Sequence, residues 1–90
     1  MKTIKSLINP DKKVYVKMKG AADCKRFFYL AEKEGFLFSG GAKPIEKHPS
    51  DLIAVLPDKT LCYVNTYGRI AAQSGAANII VYDCEKLLAD

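Results

Sequence analysis

Apolar and polar residues alternate cleanly from Lys13 to Lys19. Val14, Val16 and Met18 turn one way, while Lys13, Tyr15, Lys17 and Lys19 turn the other. A period of two predicts a strand with one buried face. After Gly20 the period lengthens to that of a helix over residues 21–34. Cys24, Phe27, Phe28 and Ala31 share one side with Leu30 at its edge; Lys25, Arg26, Tyr29 and Lys33 share the other. Two adjacent phenylalanines on the inner side are the largest apolar load in the chain, so the sheet is expected beneath them. Gly35 stands at the left-handed stop position and Phe36 can close over the last turn. Phe36-Leu37-Phe38 reads as a short strand, and the intervening helix lets it run parallel to the Val14 strand in one sheet through a right-handed crossover.

Upstream, Ile4, Leu7 and Ile8 have helical spacing, with Thr3 as a cap and Asn9-Pro10 as the stop; a strand fits these residues almost as well. Residues 39–51 (SGGAKPIEKHPSD) are irregular, long for a connection in so small a domain, and therefore a candidate functional loop. Residues 52–56 (LIAVL) and 61–65 (LCYVN) flank Pro57-Asp58-Lys59-Thr60 as a hairpin with a type I turn. In the small-residue stretch 66–78, residues 69–74 suit a turn or two of helix ended by Gly75. Residues 79–82 (IIVY) form an apolar strand, and Asp83 caps a last helix over 84–89 anchored by Leu87 and Leu88. The expected fold is one α+β domain over residues 1–90. Its mostly antiparallel sheet, of about four or five strands, is packed by one main helix (21–34), with a short C-terminal helix. The runs LIAVL and IIVY are apolar at every position, as in strands covered on both faces. The second cover is expected from the terminal segments or from another subunit.

Composition narrows the function classes. No run approaches a membrane span, and the start MKTIKSLINPDKK lacks the apolar core of a signal peptide, so a cytoplasmic, unprocessed protein is expected. Three widely spaced cysteines, Cys24, Cys62 and Cys84, make no disulfide framework. With His48 as the lone histidine, no metal-binding spacing exists either. The net charge of +4 is unevenly placed. The first 26 residues carry Lys2, Lys5, Lys12, Lys13, Lys17, Lys19, Lys25 and Arg26 against Asp11 and Asp23, whereas the remainder is net acidic.

A lysine-rich strand from Val14, a Glu34-Gly35-Phe36 stop, a Phe38-Ser39-Gly40 step and an apolar strand from Ile79 into a leucine ending resemble many small phage and prophage proteins of unknown function. Those proteins commonly carry Trp where Phe38 stands. The resemblance implies origin and fold, and carries no functional residues across.

The residues offer several candidate sites. Ser39, Gly40, Gly41 and Lys43 could turn backbone amides and an amine toward an anion such as a nucleotide, with Arg69 as a further cation; a plain glycine turn explains them too. Lys13, Tyr15, Lys17 and Lys19 make a basic, aromatic strip suited to nucleic acid, or else a solvated face. His48 lies in a polar loop without a positioned partner, so no catalytic set is expected. Tyr67 and Arg69 beside Gly68 are residue types that anchor interfaces, and they could equally pin a loop. Together these residues imply a non-catalytic binding protein, without cofactor or metal, that engages and can inhibit a host macromolecule. A homodimer would cover the apolar sheet face. Nucleic-acid binding through the N-terminal strand is the alternative, and no membrane is involved.

Overall fold

The computed structural model describes residues 3–88. Its order is a 3-10 turn (Lys5–Leu7), β1 (Lys13–Lys17), α1 (Ala21–Lys33), β2 (Leu37–Phe38), a second 3-10 turn (Pro44–Glu46), β3 (Leu52–Val55), β4 (Thr60–Tyr63), α2 (Thr66–Gln73), β5 (Ile79–Asp83) and α3 (Cys84–Leu88). The five strands lie in one sheet in the order β2-β4-β3-β1-β5, and the fold is α+β.

The sheet is mixed, where a mostly antiparallel one was expected. β3 runs antiparallel to β1 and β4, whereas β1–β5 and β2–β4 are parallel. The reason is a second helical crossover. A helix returns the chain to start its next strand in the same direction, and α2 does for β4 and β5 what α1 does for β1 and β2. The strands at Val14 and Phe38 do share a direction, but the β3–β4 hairpin is inserted between them.

The two crossovers travel opposite ways across the sheet. Right-handed connections therefore place α1 and α2 on opposite faces. On the α1 face Phe27 and Phe28 pack with Val14, Val16, Ile53, Val55 and Leu61, joined by Ile4, Leu7 and Cys84 from the flanking segments. Burial of each large side chain contributes about 1.5–3 kcal/mol. Phe28 meets Phe38 edge-on at 5.4 Å between ring centres. On the other face a smaller cluster joins Tyr15, Leu52, Ala54 and Val64 with Ala72 of α2. The second cover is thus α2. The terminal segments, one of the two covers expected beside another subunit, pack on the α1 side instead, and the cover does not reach across the whole sheet.

Local signals explain most boundaries. At the end of α1, Gly35 takes φ +88°, its amide bonds the Glu32 carbonyl at 3.0 Å and the Phe36 amide bonds that of Ala31 at 2.9 Å. This is the reciprocal C-terminal lock expected of glycine followed by an apolar residue. Thr3 Oγ1 accepts from the Ser6 amide at 3.2 Å, holding the first turn. The Glu34 carboxylate ties that turn to α1 by accepting from the amides of Ile4 at 2.9 Å and Lys5 at 2.8 Å. In the hairpin the Lys59 amide closes on Leu56 at 3.2 Å. Asp83 caps α3 by accepting from the Glu85 amide at 3.0 Å, and Leu87 packs on the core. The side chain of Leu88, and Ala89, lie outside the described residues.

Candidate functional site

The incomplete cover on the second face leaves a concavity on each flank of α2. α2 begins after the end of β4, crosses β3 and β1 obliquely, and delivers the chain to the start of β5. Asn65 caps it, its Oδ1 accepting from the Gly68 amide at 2.8 Å. Gly68, Ala71 and Ala72 form its sheet-facing side, since positions three and four apart share a helix face. Gly68 is needed there for space: a methyl group would lie 2.7 Å from Val64 Cγ1 and 2.9 Å from the Tyr15 hydroxyl.

On one flank of α2 opens a groove of about 370 Å³. Tyr15, Ala54 and Cys62 lie along its floor, Tyr67 and Ala71 stand on the helix side, and Lys13 and Asn78 close one end. Tyr67 is 83% exposed at the rim. The floor is mostly apolar but carries the Tyr15 hydroxyl and the Cys62 thiol, and a few polar groups in an apolar concavity are the usual arrangement of a binding site. Burial pushes the Cys62 thiol upward from its ordinary range, so it contributes as a neutral, weakly polar group. A second groove of about 270 Å³ on the opposite flank includes Lys17, Leu52, Arg69 and Val81.

Tyr15 corrects the basic-strip expectation. It is 6% exposed beneath α2, so its ring offers no face to a base. β1 is an interior strand, and Lys13 and Lys17 emerge in separate grooves on the two sides of the helix. Lys19 lies beyond the strand and pairs with Glu85 at 3.6 Å.

Arg69 is already engaged. Its guanidinium makes a two-point contact with Asp51, at 2.9 and 2.6 Å. The hydrogen bonds from Arg69 hold the Asp51 carboxyl below its usual range, and Asp51 in turn raises the guanidinium. The pair ties α2 to the entry of β3.

The segment Ser39–Gly41 is a tight glycine turn. The Ser39 amide bonds the Leu61 carbonyl at 3.0 Å and the Gly41 amide that of Phe38 at 2.8 Å, with Gly40 and Gly41 at φ +99° and +90°. The Lys43 amide meets Glu46 Oε1 at 3.3 Å. The amides of Ser39, Gly41 and Lys43 are thus already engaged within the chain. The long loop is also well fastened: Pro44 is fully buried, Lys47 Nζ sits 5.4 Å from the Phe38 ring centre, and the Tyr63 hydroxyl donates to the His48 carbonyl at 2.7 Å. His48 itself is exposed. None of Ser39, Gly40, Gly41, Lys43 or His48 lines either groove beside α2.

Of the residues picked out in the sequence, the structure brings Lys13, Tyr15 and Tyr67 to the larger groove and Lys17 and Arg69 to the smaller. Sequence reasoning missed Ala54 and Cys62 as lining residues, and took Gly68 for part of a turn and not for the point of close approach. A signal for the last existed: Asn65-Thr66 is a helix start, and Gly68, Ala71 and Ala72 then make a small-residue face for close approach. Among the described residues no cluster of three or more His, Cys, Asp or Glu side chains could hold a metal ion, and no helix is long and apolar enough to cross a membrane. Comparison of the chain with protein-family models, curated proteins and solved structures gives no match.

Proposed function

We propose that this chain is a non-catalytic protein-binding module whose contact site is the larger groove beside α2. The observation that carries the reading is the pairing of a mostly apolar floor with a protruding Tyr67 and a cationic end at Lys13. A pocket of that size accepts one large side chain, and Lys13 favours a carboxylate next to it. The partner is therefore a protein segment presenting an aromatic or branched apolar residue beside Asp or Glu. Tyrosine at a rim is a frequent energetic anchor because it buries much surface with few rotors to freeze. The resemblance to small phage and prophage proteins supports a host protein as the partner, bound in the host cytoplasm and inhibited by occupation of its surface. Three free cysteines fit such a reducing compartment.

A displayed peptide library selected on the purified protein tests this. Binders enriched in an aromatic–acidic pair are expected, and Tyr67→Ala or Lys13→Glu should each weaken them roughly tenfold or more, the loss of about 1.4 kcal/mol. Selected binders indifferent to both substitutions would place the site elsewhere.

A further inference from the structure

The two edges of the sheet are unlike. β2, at one edge, is only two residues long and runs straight into the Gly40–Gly41 turn, with Lys47 lying over Phe38. Short length, a sharp turn and a lysine are devices that discourage strand addition. β5, at the other edge, spans Ile79–Asp83 and has none of them: no proline, no lysine and no glycine.

The hydrogen-bond parity of β5 follows from its register. The Lys13 amide bonds the Asn78 carbonyl at 2.8 Å, and Lys13 aligns with Ile79 in the parallel ladder. In such a ladder alternate residues address the neighbour, so Ile80 and Tyr82 turn their amides and carbonyls to β1. Ile79, Val81 and Asp83 turn theirs outward. The Ile79 amide is taken by the Ala76 carbonyl at 3.2 Å. As the residue that caps α3, Asp83 gives its carbonyl to the first bond of that helix, so the outward groups remaining are the Ile79 carbonyl, both groups of Val81 and the Asp83 amide.

We infer that β5 pairs antiparallel with β5 of a second copy of this chain, about a two-fold axis at Val81. This set of groups is self-complementary under that rotation. The paired Val81 residues exchange N–H···O=C bonds, and each Asp83 amide meets the other copy's Ile79 carbonyl. The Ile79 amide, already taken, is the group this pairing can do without. Side chains agree with the register. Ile80 comes opposite Tyr82 on the α1 face, a branched–aromatic pair of the kind that stabilises antiparallel strands. On the other face Val81, 44% exposed in the single chain, meets its own copy and closes the outer side of the smaller groove. Asp83 falls opposite Ile79, so no like charges are opposed.

The product is one continuous sheet through both copies. Ile79 borders one end of the larger groove, but Tyr67, Ala71 and Cys62 in it lie outside β5, so self-pairing and partner binding are read by different substitutions. An arbitrary extended peptide could use the same amides, but it would lack the reciprocal match at Val81.

Sedimentation over a rising concentration series, with amide exchange at Val81 and Asp83, tests the inference. The wild-type mass is expected to move from one chain to two, with both amides slowing as concentration rises. Val81→Lys places like charges on the axis and should remain a single chain throughout, with an unchanged circular dichroism spectrum. Tyr67→Ala should pair as the wild type does even where it no longer binds peptides. A wild-type protein of single-chain mass throughout, concentration-independent exchange at Val81 and Asp83, or a folded Val81→Lys variant that still pairs would each overturn it. The exchange measurement needs no variant, so the inference stays testable if Val81→Lys fails to fold.

Discussion

The hydroxyl of Tyr15 stands directly beneath Gly68, with only 2.9 Å to where a methyl group on that glycine would lie. This contact sets how closely α2 approaches the sheet, and so the shape of both grooves. In an exposed helix, glycine to alanine would stabilise by about 1 kcal/mol. Here the added carbon also meets Val64 Cγ1 at 2.7 Å, on a stiff branched side chain inside a packed cluster. Gly68→Ala is expected to destabilise by about 1–2 kcal/mol net, since overpacking costs more than propensity returns. Chemical denaturation of Gly68→Ala, alone and with Val64→Ala, checks this. Val64→Ala itself removes buried surface, so relief of the clash is read as a smaller cost of Gly68→Ala in the Val64→Ala background than in the wild type. A rise in stability for the single variant would show that α2 can lift freely.

The Arg69–Asp51 pair makes a pH-dependent contribution. Both side chains are partly exposed, so Arg69→Ala should cost only about 0.5–1 kcal/mol near neutral pH. The folded chain holds Asp51 below its ordinary value of 3.8. The contribution is therefore complete above that value and disappears as pH falls through the lower, folded one. Urea unfolding of wild type and Arg69→Ala should differ at neutral pH and converge in strong acid. A gap that persisted there would mean that Arg69 acts through packing instead of charge.

The thiols should divide by burial. Burial, followed by the nearby Asp23 carboxylate, pushes Cys84 up to about 12, and burial raises Cys24 as well. Because the thiolate is the reacting species, these two should resist alkylation in the native state. Cys62, half-buried in the groove floor, should label first, though more slowly than a free cysteine. Mass spectrometry after timed iodoacetamide treatment reads this directly. Equal labelling at Cys84 would contradict the packing of α3 against α1.

Glu34 should govern the N-terminal turn. Its carboxylate is the acceptor for the Ile4 and Lys5 amides, which lie next to the buried Ile4 side chain. Glu34→Ala is expected to cost about 1.5–3 kcal/mol, the range for hydrogen bonds to a charged group. It should also speed amide exchange at Ile4 and Lys5 before that of β1. Uniformly faster exchange across the sheet would instead mark a general loss of stability.

The local elements were legible because their causes are local. Alternation gave β1, the Phe27–Phe28 face and Gly35 gave α1 with its stop, and Asp83 gave the cap of α3. α2 was half-hidden: Gly68 looked like a turn because its role is to make room for Tyr15, a residue far away in sequence. The same contact buried a tyrosine that alternation alone had assigned to the solvent side. Alternation states which residues share a face, and it is silent on what covers that face. The pairing of strands, the mixed sheet, the engagement of Arg69 by Asp51 and the open edge at Val81 all depend on long-range topology. By itself the sequence determined an α+β chain with one strong helix and a core built on Phe27 and Phe28, because period, capping and burial act over a few residues. Only the tertiary structure decided where that chain leaves a concave surface, because a groove is what remains when a second crossover covers a sheet incompletely.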